Sequence, residues 1–270
     1  MSRSALEERS FERLVVAREG DVVRVRLDDP TRANAFSPPM IRELVAVFSH
    51  PWREHGVRAL VLEAAGDNFC AGADLAHLET LLTARYEDNL EDSLGLRALF
   101  ESVLRQEALT VALVQGWCVA GGCGLATACD YVLAAEDARF MYSEVKIGFV
   151  PALVATYLPL RLRGRDLREV LLDPQPLTAQ RALDIGLVNR SLPRAELSSA
   201  GDQLIARILD QASSETIART KRLLLDLVGK DLDEALAYAV EANARSRATE
   251  DCQHGIRTFL ESKRTPRWRG

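Results

Sequence analysis

A glycine pair, Gly121-Gly122, is the feature of this 270-residue sequence whose type and spacing first suggest chemistry. It follows Thr110-Val-Ala-Leu-Val114, a β-branched run that suits a buried strand, and Gly116, which turns the chain. The pair then opens a small-residue helix ending near Cys129. A helix start presents unpaired N–H groups and the positive end of the helix dipole, and glycines let a carbonyl oxygen or anion come close. The stretch therefore predicts a preformed oxyanion site. Tight packing of helix on sheet would account for the same glycines, because a lone Gly-Gly is a weak signal. A second small-residue segment, Phe69-Cys70-Ala71-Gly72-Ala73-Asp74-Leu75, lies between a strand end and a polar helical stretch and leaves backbone open to a ligand. A plain connecting loop is its alternative.

The elements that must position these segments follow from periodicity. Phe11–Arg18 and Val22–Leu27 alternate apolar and polar residues around Glu19-Gly20-Asp21, which predicts a hairpin. Residues 1–10 read as a frayed, charged lead-in. Ser37 before Pro38-Pro39 predicts a helix start, with Ile41, Leu44, Val45 and Phe48 at helical spacing. Ala59–Glu63 reads as a buried strand, 77–86 as a polar helix and 89–107 as a long one. Helical segments are expected over 153–160 and 166–172, and Thr178 should cap a helix that Gly186 ends. Leu187-Val188-Asn189 reads as a short strand or edge, and the chain from Ser198 onward is helical only.

Composition narrows the class. With 47% hydrophobic and 27% charged residues the chain can bury a sizeable core. A formal charge of −5 without basic runs argues against nucleic acid or an anionic membrane as partner. The five cysteines have neither CxxC nor zinc-type spacing and read as reduced thiols, mostly buried. No run of about 18 apolar residues occurs, so the expected location is the cytoplasm. His50, His55, His77 and His254 are scattered, without a nucleophile elbow or metal spacing, and read as surface or packing residues.

Several segments then line up in one order: Arg32-Ala33-Asn34-Ala35; Phe69–Leu75; Gly116–Asp130, followed by Ser143-Glu144-Val145-Lys146-Ile147-Gly148 and Pro151; Gly186–Asn189; and Phe259–Pro266. Together they resemble the crotonase superfamily, also called the enoyl-CoA hydratase/isomerase family, over nearly the whole chain. The resemblance implies an α/β fold, a crotonase-type spiral of ββα repeats over residues 1–197. A C-terminal helical region, 198–270, would serve trimerisation and act as a lid. It implies a homotrimer or dimer of trimers acting on an acyl-CoA thioester. No cofactor is expected beyond the coenzyme A carried by the substrate, and no metal.

Carried over by position, the N–H groups of Ala71 and Gly121 would hold the thioester oxygen. Ala71, Gly72, Ala73, Asp74 and Leu75 would cradle the adenine, with Asp74 shaping the loop. Arg32, with Ala33 and Ala35, would lie near the coenzyme's phosphates, and Gly124 would line the substrate site. Lys221, Lys263 and Arg264 are further cations for the coenzyme, or solvated surface charges. Glu144 would be the acid/base. Proton removal α to a thioester, or addition at the β-carbon, builds charge on the carbonyl oxygen. Each aimed N–H can offset about 3 to 4 kcal/mol of that charge, and a placed carboxylate adds about 10² to 10⁴ in rate. The apolar neighbours of Glu144 should raise its pKa.

Two departures stand out. Hydratases of the family usually carry a second glutamate in G-G-C-E-L, where this chain has Gly122-Cys123-Gly124-Leu125. After Pro151 the common P-G-x-G-G becomes Pro151-Ala152-Leu153-Val154-Ala155, in a stretch most like methylglutaconyl-CoA hydratase-type members. Three functions follow: a hydratase-like enzyme; an isomerase or decarboxylase of the same enolate class, which needs one carboxylate; or a non-catalytic acyl-CoA binder, against which Glu144 argues.

Overall fold

Alternate residues of one large sheet face two separate cores, and that division sets the architecture. The computed structural model of the protein describes Leu6 and residues 10–268, so the lead-in expected over residues 1–10 falls almost wholly outside the described residues. The hairpin forms as β1 (Leu14–Glu19) and β2 (Val22–Leu27), with Gly20 at φ +66° in its turn. α1 (Pro38–Phe48) starts where predicted, the Ser37 side chain accepting from the Met40 N–H. β3 (Ala59–Ala64) is followed by α2 (Leu75–Leu81), α3 (Tyr86–Leu104) and β4 (Leu109–Val114).

The remaining elements of the body are β5 (Trp117–Val119), α4 (Gly121–Ala128), β6 (Tyr131–Ala135), β7 (Arg139–Met141), α5 (Gly164–Leu172), β8 (Leu177–Thr178), α6 (Ala179–Asp184) and β9 (Arg190–Leu192). Helices α7 (Leu197–Gln211), α8 (Ser214–Asp226), α9 (Leu232–Arg247) and α10 (Glu250–Ser262) complete the chain. The main sheet runs β1-β2-β3-β4-β6-β9, parallel except for the hairpin, and a small sheet runs β5-β7-β8.

On the main sheet Val23, Val25, Leu60, Leu62, Ala112, Val114, Val132 and Ala134 join the core beneath α1, α3 and α4. Their alternates Ala59, Val61, Val111, Leu113, Leu133 and Ala135 meet Leu204, Ile205 and Leu209 of α7. Strand pleating alone produces this split, since successive side chains point to opposite faces. The all-buried reading of 110–114 is the same fact seen along one strand.

Several predicted boundaries shift. The helices expected over 77–86 and 89–107 both start and end earlier, as α2 and α3, the first because Asp74 accepts from the His77 N–H. α3 then begins at Tyr86, where Asp88 Oδ2 reaches back to accept from the Arg85 N–H at 3.1 Å. Over 153–160 the chain forms two 3-10 turns rather than one helix, with Pro159 in the second. The strand expected at 187–189 lies at 190–192. Asn189 docks first, its N–H donating to Val132 O and its Oδ1 accepting from Val132 N–H at 2.7 and 2.8 Å. Strands β5, β7 and β8 have no counterpart in the sequence reading, since three residues or fewer carry no periodicity.

Candidate active site

The glycine pair opens α4 because of what precedes it. Gly116 has φ +56°, and a Cβ there would stand 2.0 Å from Asp67 O, so the turn after β4 admits only glycine. β5 then runs beside Phe69 and Cys70, with the Val119 N–H donating to Cys70 O at 2.9 Å. Ala120 is held at φ 47°, ψ −119°, its N–H donating to Met141 O of β7 at 2.8 Å. That left-handed alanine swings the chain so that Gly121 becomes the first residue of α4. Its N–H, like that of any first helical residue, has no acceptor within the helix.

A Cβ on Gly121 would lie 3.0 Å from the Phe36 ring, and one on Gly122 would lie 2.8 Å from Cys70 Cβ. The packing account of these glycines is therefore correct, and it is also what presses the start of α4 against the second small-residue segment. In that segment Ala73 pairs with Phe36 as a parallel bridge. The Phe36 N–H donates to Gly72 O at 2.7 Å, and the Asp74 N–H donates to Phe36 O at 3.1 Å. This pairing turns the Ala73 N–H away from Phe36, and among the described residues it has no acceptor. Gly72, at φ +85°, abuts Val119 and Ala120, so Ala73 and Gly121 lie on adjoining stretches of backbone.

Ala71 requires a correction. Its N–H donates to Ala33 O at 2.9 Å and is spent holding the 30–36 loop, so it is no free donor. Ala33 and Asn34 both have positive φ, 48° and 55°, which turns the loop toward this segment. The buried Asn34 side chain fixes the loop: Oδ1 accepts from Asp29 N–H, and Nδ2 donates to Ala65 O and Asn68 O, each at 2.9 Å. Two alanines flank one glycine at 71–73, and which amide is free depends on the strand passing alongside, which spacing does not reveal.

The other expected site residues divide. Asp74, buried, caps α2 and pairs with Arg32 at 3.3 Å, while Leu75 is 81% exposed at the rim. Ala35 is buried behind the loop. Gly124 also needs correcting: it is buried inside α4, closed off by Val154, Phe100 and Tyr157, and the Tyr157 hydroxyl donates to its carbonyl at 2.9 Å. Lys221 is neither a surface charge nor a free cation, since it pairs with Asp130 at 2.6 Å and donates to Ala108 O. Lys263 and Arg264 are exposed.

Glu144 opens a 3-10 turn (Glu144–Ile147) three residues beyond Met141, the residue whose carbonyl fixes Ala120. Its Oε2 is shielded from solvent and has no hydrogen-bond partner. Burial pushes its pKa up, opposed in part by its own backbone amide. Four of the five thiols are shut away from any substrate: Cys70, Cys118, Cys123 and Cys129 are free and buried, and burial pushes Cys70 and Cys129 up to about 12. His77 bonds Asp92 at 2.6 Å, His50 stacks with His55 and meets Trp52 edge-on, and His254 meets Trp268 edge-on. Among the described residues no three His, Cys, Asp or Glu side chains cluster closely enough for a metal ion, and no helix is long and apolar enough to cross a membrane.

A parallel sheet wrapped by helices, a helix start on backbone adjoining a segment with a free amide, and a half-buried carboxyl three residues past Met141 are groups of the kind that proteins use to stabilise developing negative charge and move protons. Comparison with known proteins gives the family. The enoyl-CoA hydratase/isomerase family model matches residues 17–270, and the chain belongs to that family. A Thermus thermophilus relative, provisionally named an enoyl-CoA hydratase, is 41% identical over 94% of this chain and all of its own length. The human mitochondrial Δ(3,5)-Δ(2,4)-dienoyl-CoA isomerase is 30% identical over 94% of this chain and 81% of its own. The crystal structure of an enoyl-CoA hydratase from Shewanella pealeana superposes with a TM-score of 0.89 at 32% identity, covering 97% of this chain and 98% of that one.

Proposed function

We propose that the protein adds water to a 2-enoyl-CoA thioester through an enolate, with Glu144 as the proton-transfer group. The observation that carries this is the shielded, unpartnered Oε2 of Glu144, three residues past Met141, whose carbonyl holds Ala120 at the start of α4. The thioester oxygen accepts from the N–H groups of Gly121 and Ala73, each offsetting about 3 to 4 kcal/mol of the charge that develops there. The positive end of α4 adds to both. Glu144, ionised, takes a proton from water as the oxygen attacks the β-carbon, and the same proton goes to the α-carbon as the enolate collapses. Arg32 and the exposed Leu75 rim receive the coenzyme arm. Copies of the chain associate through α9 and α10, neither of which has a buried residue in the single chain.

Gly124 favours a second reading within the same family. With no carboxylate at that position, Glu144 would take a proton from one carbon of a 3-enoyl-CoA and return it to another. Crotonyl-CoA and a 3-enoyl-CoA, incubated separately, divide the two. Hydration predicts loss of the conjugated thioester with formation of a 3-hydroxyacyl-CoA. If no 2-enoyl-CoA takes up water, the first reading fails. Glu144→Gln should lower turnover at least about 10²-fold while acyl-CoA affinity stays within a few fold.

A further inference from the structure

Two of the departures from the family's usual pattern, glycine at 124 and valine at 154, are thirty residues apart in sequence and touch in the structure. A Cβ on Gly124 would stand 2.7 Å from Val154 Cγ1, 3.0 Å from Phe100 Cζ and 3.0 Å from the Tyr157 hydroxyl. All three neighbours are at least 95% buried. None yields easily. Valine is stiff at χ1. Tyr157 is tied to the Gly124 carbonyl at 2.9 Å, and its ring packs on Phe100 with centroids 5.9 Å apart.

We propose that Gly124 and Val154 are a coupled pair: Val154, with Phe100 and Tyr157, fills the space a carboxylate side chain at 124 would need, which commits the site to single-carboxylate chemistry. The wall so formed offers no base. Two of its members are hydrocarbon, and the third is a phenol whose burial raises its pKa and keeps it a neutral donor. Both proton transfers therefore pass through Glu144, and it is this catalytic half of the proposal that rests on the function proposed above.

The test has two arms, the first a mutant cycle read by thermal melting, which requires no catalysis. Gly124→Ala alone should lower Tm by about 2 to 12 °C, the expected range for overpacking a filled core in a chain this long. In a Val154→Gly background the same substitution should cost less than half as much. An equal cost in both backgrounds, or no cost in either, overturns the coupling. The second arm is the pH profile of kcat/KM. Wild type should show one ionisation, and Gly124→Glu combined with Val154→Gly should show two. Two ionisations in the wild type overturn the single-carboxylate half. Should the glutamate variant fail to fold, the alanine cycle and the wild-type profile still decide. An active Glu144→Gln would refute the assignment of Glu144 and leave the melting result standing.

Discussion

Glu144 is a residue whose environment works against its charge. Burial without a hydrogen-bond partner on Oε2 raises its folded-state pKa above that of the unfolded chain. The native state therefore holds this proton to a higher pH than the unfolded chain does. The stability it contributes is fully present below the unfolded pKa and is lost as pH rises through the folded value. Glu144→Gln keeps the shape and has no charge to strip of its proton. Its Tm should gain on the wild type as pH is raised from acid to neutral, as melting across that range will show. Parallel curves would mean that the carboxyl is solvated. The same shift predicts an inflection of wild-type kcat/KM above the ordinary carboxylate range, absent in the glutamine variant. A site residue that costs stability is the usual sign of work done there.

At the scale of elements, the start of α4 is built by strain and by a loop. Ala120 occupies a left-handed conformation at φ 47°, ψ −119° that favours glycine. Ala120→Gly should raise stability by about 1 kcal/mol, with relief of strain exceeding the added chain entropy, measurable as a shift in the urea midpoint at constant slope. A loss of stability would mean that the alanine methyl packs more than its backbone strains. The 30–36 loop depends on Asn34, whose buried side chain makes three hydrogen bonds. Asn34→Ala should cost about 2 to 4 kcal/mol and also lower turnover, because Ala33 of that loop holds Ala71, two residues from the Ala73 amide. Stability lost with full turnover would show that the loop does not position the amide.

At the scale of the whole molecule, the last two helices carry apolar surface that the core does not cover. α9 presents Leu232, Leu236 and Val240 at 74, 55 and 69% exposure, four residues apart, and α10 presents Ile256, Phe259 and Leu260. Residues spaced by four share one helix face, so this is a continuous apolar stripe in water, the kind of surface that another subunit covers. Leu236→Glu with Val240→Glu should shift the sedimentation coefficient toward a single chain while the far-UV helix signal stays. An unchanged coefficient would assign the stripe elsewhere.

The sequence alone determined the parts that periodicity and local chemistry encode. These are the hairpin, the proline-led α1, the buried β4, the glycine-led α4 and the helical C-terminal region. Such signals are local, since each depends on side chains within one or two turns. Which amide at 71–73 is free, which direction out of Gly124 is closed, and whether Lys221 is a ligand or a pillar were decided only by the tertiary structure. Those answers are set by Phe36, Val154 and Asp130, each more than 25 residues away in the chain and brought into contact only when the sheet closes.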